Sequence, residues 1–222
     1  MQASKIGPGT PERKYKMEKM TLIVPCYNEE EVLPFFYEEF QKVAKRLEAY
    51  RTEVIFVDDG SRDRTLEVIK KLAEEDERVK YISFSRNFGK EAAIYAGFQH
   101  ADGDYIAMLD ADLQDPPSLL PEMMKGIVEE GYDSVATRRV SRKGEPPVRS
   151  FFARCFYKLM KKISTAEIMD GARDFRLMTR QFKDAILEMG EYNRFSKGIF
   201  GWVGFKTKWI EYENVERRAG ET

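Results

Sequence analysis

Asp110, Ala111 and Asp112 follow the apolar run YIAML. Residues i and i+2 of an extended segment point the same way, so both carboxylates share one side of the chain. Such a pair at a strand end can hold a hard divalent cation and leave positions open for phosphate oxygens. A solvated turn is the plainer reading, since Asp is common after strands. Gln114 follows and offers an amide oxygen as a third ligand. Asp115, ahead of Pro116 and Pro117, reads as a helix N-cap with Pro116 in the first turn. A second acidic pair, Asp58-Asp59, precedes Gly60-Ser61. Asp58 could accept from a nucleobase imino N–H or a ribose hydroxyl; the alternative is a tight turn with Ser61 capping the next helix. A third motif runs Pro25-Cys26-Tyr27-Asn28-Glu29. Its Tyr ring could stack on a base and its Glu could bond a ribose; the alternative is a helix start capped by Asn28, with Glu31 in capping-box spacing. Cys26 reads as a small buried hydrophobe.

Alternating strands and helices place these motifs. Met20–Tyr27, Glu53–Val57, Val79–Phe84, Asp104–Leu109 and Asp133–Thr137 read as strands, most of them continuous apolar runs. Helices are expected from Asn28 onward with apolar spacing from Val32 to Leu47, then over Thr65–Glu75, Lys90–His100 and Pro116–Glu130. Continuous apolar strands between helices predict an α/β fold with a mostly parallel, helix-covered sheet. Ligands of such sheets bind beyond the carboxyl ends of the strands, where all three motifs fall. Beyond about Arg138 the pattern loosens.

Composition narrows the function. With 222 residues, 42% hydrophobic and 34% charged, the chain suits one sizeable soluble domain. Lys and Arg number 37 against 38 Asp and Glu, so no basic excess argues for nucleic acid. His100 is the one histidine, which excludes His-rich zinc sites. Cys26 and Cys155 are too few for a disulfide scaffold, and a reducing compartment is the default. No run of about 18 apolar residues exists to span a bilayer, and the polar N-terminus shows no signal peptide. Residues 1–16 are Gly/Pro-rich and charged, and order is expected from about Met20, so 1–19 read as a disordered leader or cloning remnant. No GxGxxG follows the first strand, which disfavours a dehydrogenase.

In order and spacing, VPCYNEE, VDDGSRDRT and RNFGKEAAIYAGFQHADGDYIAMLDADLQDPP resemble glycosyltransferase family 2, the inverting GT-A enzymes. The branch is similar to dolichyl-phosphate mannose synthases and polyprenyl-phosphate (bactoprenol) glycosyltransferases. GARDFRLMTR, RFSKGIFGWVGF and YENVERRAGET look like the bactoprenol-type members. The resemblance covers residues 20–222 and implies a single GT-A domain with a Rossmann-like sheet between helices. Residues 20–137 would form the nucleotide-sugar half and 138–222 the acceptor-facing half. Pro25, Tyr27, Glu29 and Asp58 would hold the nucleoside. Asp110 would contact ribose or metal, and Asp112 and Gln114 would ligate Mg²⁺ or Mn²⁺, which stabilises the departing diphosphate. Asp174 stands where mannose synthases carry Ser-Gly before the Phe-Arg motif, which favours the glucosyl branch. Relatives of this type continue past the RAGET-like segment with transmembrane helices, so a truncated membrane anchor is expected.

The implied reaction is transfer of a hexose from a nucleotide sugar, expected to be a UDP-sugar, to a membrane polyprenyl phosphate at the cytoplasmic face. Alternatives are a family 2 transferase acting on a saccharide hydroxyl in polysaccharide or cell-wall synthesis, and a catalytically silent nucleotide-binding module. Asp174 and Asp112 are the catalytic candidates. Arg138, Arg149, Arg176 and Arg218 are candidates for phosphate binding, with Arg217 an alternative to Arg218. Arg86 and Lys90 flank the RNFGK segment, where one of them could reach a phosphate. Pro147–Ile163 carries apolar residues at helical spacing, and Arg138–Lys162 holds nine Lys/Arg against Glu145 alone. That density suggests an anionic membrane surface or a phosphate acceptor; a solvated basic face is the alternative. Oligomeric state is left open.

Overall fold

The computed structural model describes residues 17–139, 169, 171–191 and 194–212. Its strands and helices run β1 (Lys19–Cys26), α1 (Leu33–Arg46), β2 (Arg51–Asp58), α2 (Thr65–Glu75), β3 (Val79–Ser83), α3 (Lys90–His100), β4 (Tyr105–Met108), a 3₁₀ turn (Pro117–Leu119), α4 (Leu120–Val128) and β5 (Ser134–Arg139). Then come β6 (Ala172–Thr179), α5 (Arg180–Glu188), α6 (Ser196–Trp202) and β7 (Thr207–Tyr212). The seven strands form one sheet in the order β3-β2-β1-β4-β6-β5-β7. All neighbours pair in parallel except β6, which is antiparallel to both β4 and β5.

Strand alternation splits the core between the two faces. Leu22, Val24, Val54 and Phe56 point to one side, against Leu33, Phe36 and Phe40 of α1 and Met123 of α4. Ile23, Ile55 and Val57 point to the other, against Ala93, Ile94 and Phe98 of α3 and Phe182 of α5. Both faces are covered, which is why the central strands read as unbroken apolar runs. α3 lies close on the sheet because Gly97 faces Ile23: a Cβ there would sit 2.3 Å from Ile23 Cγ2.

The expected bounds of α2 and α3 agree with the structure, and β1 starts one residue ahead of the anticipated Met20. Three capping expectations do not hold. Asn28 has φ 54 and accepts from the Arg62 N–H, while α1 starts at Leu33 with Val32 at its N-cap. Ser61 accepts from the Asn28 N–H and leaves α2 uncapped by any side chain. Asp115 is fully buried, and the next helix is split into the 3₁₀ turn and α4, with Pro116 at the N-cap of the turn.

Gly60, at φ 67, closes the turn after β2. A Cβ on it would lie 2.3 Å from the Arg86 carbonyl carbon, so only glycine lets the loops after β2 and β3 meet. Gly60→Ala is expected to destabilise the fold by about 2–4 kcal/mol, from left-handed strain plus overpacking, in urea unfolding. A loss under about 0.5 kcal/mol, the size of a neutral surface change, would mean the two loops do not press together.

Candidate active site

The carboxyl ends of β1 to β4 lie along one edge of the sheet, and the antiparallel β6 brings its first residues to that same edge. Met108 pairs with Arg176 in the β4–β6 register, so Asp174 stands just beyond the end of β4, near Asp110. Pro25, Tyr27, Glu29, Asp59, Lys90, Asp110 and Asp112 are among the residues around a cavity of about 330 Å³ here. Tyr27 is exposed at 40% and so free to meet a planar ligand. Cys26 is buried, its thiol pushed well up by burial, in agreement with a packing role.

Hydrogen bonds stitch the loops around this cavity. The Glu29 N–H donates to Thr65 Oγ1 at 2.8 Å and the Glu30 N–H to Asp63 Oδ2 at 3.2 Å. Asp59 accepts from the Phe88 N–H at 2.7 Å and the Gly89 N–H at 2.9 Å, which pins the RNFGK segment at the rim. Asp58 is 1% exposed and is not among the lining residues; it accepts from the Ser61 N–H at 3.1 Å and the Ser83 hydroxyl at 3.1 Å. Strand alternation, still in force at Asp58, turns it inward and gives Asp59 the cavity.

Lys90 is the junction of the site. Its Nζ lies 2.6 Å from Asp110 Oδ1 and 2.5 Å from Asp174 Oδ2. Lys197 Nζ approaches Asp174 Oδ1 at 3.6 Å. Burial disfavours the Lys90 ammonium, but Asp110 and Asp174 outweigh it and raise the Lys90 pKa. Burial likewise pushes Asp174 up, and Lys90 followed by Lys197 reverses this and holds the carboxyl below its usual range. Two lysines thus flank the Asp174 carboxylate.

Gln114 and Asp115 jointly hold Arg173. Arg173 Nε donates to Asp115 Oδ1 at 3.1 Å and Nη2 to Gln114 Oε1 at 3.4 Å. Tyr212 also donates to Asp115, so β7 is tied to the loop after β4. Burial pushes the Asp115 carboxyl up, against the pull of Arg173. Asp112 Oδ1 accepts from the Gln114 N–H at 3.1 Å, and among the described residues no ion pair involves it.

The phosphate-binding candidates separate. Arg138 lies near the end of β5 and is ion-paired to Glu211. Arg176 is buried on β6, at 4% exposure, and lines a cavity apart from the donor one. Arg86 stacks over the Phe88 ring at 4.0 Å. Arg149, Arg217, Arg218 and the basic stretch 147–163 lie outside the described residues. Sequence reasoning missed Arg173, Lys197 and Asp59. Among the described residues no helix is long and apolar enough to cross a membrane.

A divalent cation fits the chemistry of the site. Asp110, Asp112 and Gln114 are all oxygen donors, which suits Mg²⁺ or Mn²⁺. No group of three or more His, Cys, Asp or Glu side chains poised for a metal exists among the described residues.

Known proteins share both sequence and fold with this chain. The chain is 49% identical over 205 residues to the protein CsbB of Bacillus subtilis (strain 168), covering 92% of this chain and 61% of that protein. It is 43% identical over 204 residues to the prophage bactoprenol glucosyl transferase homolog of Escherichia coli (strain K12), covering 92% and 66%. It thus spans just under two thirds of the length of these curated relatives. Among solved structures, the mannosyltransferase PcManGT from Pyrobaculum calidifontis, in complex with GDP-Man and Mn²⁺, shares the fold with a TM-score of 0.62 at 19% identity, covering 91% of this chain and 58% of that one. The fold is GT-A, and the family model described as Glycosyl transferase family 2 matches residues 21–187. The chain belongs to glycosyl transferase family 2.

Proposed function

We propose that this chain transfers a hexose from a nucleotide sugar, with UDP-glucose the first candidate, to a polyprenyl phosphate at the cytoplasmic face of a membrane. The observation that carries the reading is the 43% identity to bactoprenol glucosyl transferases across 91–92% of this chain, joined to a cavity walled by Asp110, Asp112 and Lys90. Residues 20–137 supply the donor pocket and 138–222 face the acceptor, although Asp174 reaches back into the donor cleft.

Pro25, Tyr27 and Glu29 cradle the nucleoside, with Asp58 bracing the floor through Ser61 and Ser83. Asp112, Gln114 and Asp110 would hold Mg²⁺ or Mn²⁺; the PcManGT complex with Mn²⁺ supports this choice. When bound, the cation supplies Lewis-acid stabilisation of the charge that develops on the nucleoside diphosphate. Lys90 puts an ammonium in the wall of the same cavity. Arg138, Arg149, Arg176 and Arg218 remain the candidates for phosphate contacts.

Asp174 bears on the acceptor. A good general base has a pKa near the working pH, whereas Asp174 is held below the usual carboxylate range. Such a carboxylate is a weak base for a hydroxyl. A phosphate monoester brings its own oxyanion, since its second ionisation falls at about pH 6. Asp174 then keeps Lys90 in place rather than taking a proton.

Thermal unfolding with UDP- and GDP-sugars tests the donor half. A UDP-sugar is expected to raise Tm with Mn²⁺ present and to lose that effect with EDTA. No shift with any nucleotide sugar would overturn the assignment of the cavity.

A further inference from the structure

Behind the donor cleft lies a second cavity of about 120 Å³, bounded by β6, α6 and β7. Arg176 reaches it from β6, with 4% of its surface exposed. Its Nη1 donates to Ser134 Oγ at 2.8 Å and lies 3.5 Å from Thr207 Oγ1, while its Nε has no hydrogen-bond partner. The guanidinium carbon sits 4.7 Å from the ring centre of Phe200, 5.5 Å from Trp209 and 5.7 Å from Phe182. Among the described residues no carboxylate forms an ion pair with it. Arg173 and Lys197 line the same cavity, and among the described residues no acidic side chain does.

We propose that this cavity binds a phosphomonoester oxyanion, held by Arg176, Arg173 and Lys197. A buried guanidinium without a counter-ion is costly, and an anion beside it removes that cost. Burial alone pushes the Arg176 pKa down to about 9, with Asp174 the only charge that opposes the fall. A doubly charged oxyanion suits the Arg176 fork better than a halide, because its unpartnered Nε and its Nη2 can offer two parallel N–H bonds, while Arg173, already bonded to Asp115 and Gln114, adds charge. Phe200 and Trp209 exclude water from one wall and strengthen those bonds.

The cavity adjoins the donor site through a chain of charges. Lys197 touches Asp174, and Asp174 touches Lys90 in the donor cavity wall. The assignment of the natural ligand as the acceptor's own phosphate rests on the reading given under Proposed function; the oxyanion site itself does not.

The chain has two tryptophans, and Trp202 is 62% exposed. In a Trp202→Phe background, Trp209 emission reads the cavity directly. Inorganic phosphate, titrated at constant ionic strength with NaCl, is expected to give a saturable change. Arg176→Gln should weaken it by roughly tenfold or more, the scale of one charge-assisted hydrogen bond, and Lys197→Met by a few-fold. Lys197 is only half-buried, so its variant keeps the test valid if Arg176→Gln fails to fold. An unsaturable signal, or one unchanged in the folded variants, overturns the site. A short-chain isoprenyl phosphate that binds at least tenfold tighter than inorganic phosphate assigns the site to a lipid headgroup; equal affinity assigns it to the free oxyanion. Phosphate binding without sugar transfer would sink the proposed reaction and leave the site standing. Transfer without any phosphate-dependent Trp209 signal would sink the site alone.

Discussion

Asp112→Asn is expected to slow sugar transfer by roughly a hundredfold or more, about 3 kcal/mol of transition-state stabilisation. Asp110 is already engaged by Lys90, whereas Asp112 bonds only the Gln114 N–H among the described residues. Asn keeps the volume and an oxygen for that N–H, so the loop geometry survives. What is lost is, of the two candidate carboxylate ligands, the one not paired with Lys90, and with it most of the expected hold on a cation. The unfolding free energy should stay within about 0.5 kcal/mol of the parent, since the side chain sits at a half-buried cleft. Steady-state rates with Mg²⁺ or Mn²⁺, beside urea unfolding of both proteins, check the two halves. Near-parental turnover would remove Asp112 from the metal site.

Asp174→Asn should slow transfer by roughly 10- to 100-fold by releasing Lys90, a positioning loss that is the same at every pH. With a polyprenyl phosphate acceptor, the acid limb should follow the second ionisation of the lipid phosphate, at about pH 6, in parent and variant alike. A carboxylate-controlled limb present in the parent and absent in the variant would make Asp174 the base for a hydroxyl acceptor. Stability gives a second readout. The folded Asp174 pKa is lowered, so its stabilising contribution is complete above the unfolded value of about 4 and fades as pH falls through the folded value. The parent should therefore lose more stability than Asp174→Asn when acidified from neutral pH to below about pH 4.

Much of the donor half was legible because its signals are local. β1, β2 and β4 are buried on both faces and read as apolar runs, α2 carries its own apolar periodicity, and α3 stands out by its small residues. The alternation of Asp110 and Asp112 needs only neighbouring residues to be seen. The second half hid its elements for physical reasons. β6 carries Arg173 and Asp174 near its start, the first bonded to Asp115 and Gln114 and the second to Lys90, and buries Arg176 among aromatic rings, so its charges read as surface. α6 spans only Ser196–Trp202 and contains two glycines, too weak a helical pattern to stand out. Lys90 was visible as one of two residues flanking RNFGK that could reach a phosphate, not as the partner of two carboxylates. Its partners lie 20 and 84 residues away, and no local pattern reports an ion pair at that separation. The burial of Asp58 was hidden for a similar reason: it is still paired in the sheet, opposite Cys26 and Ser83, and turns inward.

The most direct test of the account offers both acceptors in one tube. Radiolabelled UDP-glucose is incubated with the chain, Mn²⁺, polyprenyl phosphate and a saccharide acceptor, then partitioned between organic solvent and water. The account predicts label in the organic phase, with parallel tubes showing its loss with EDTA and in Asp112→Asn. Label that moves to the saccharide instead, or reaches the lipid equally well with EDTA, would contradict it.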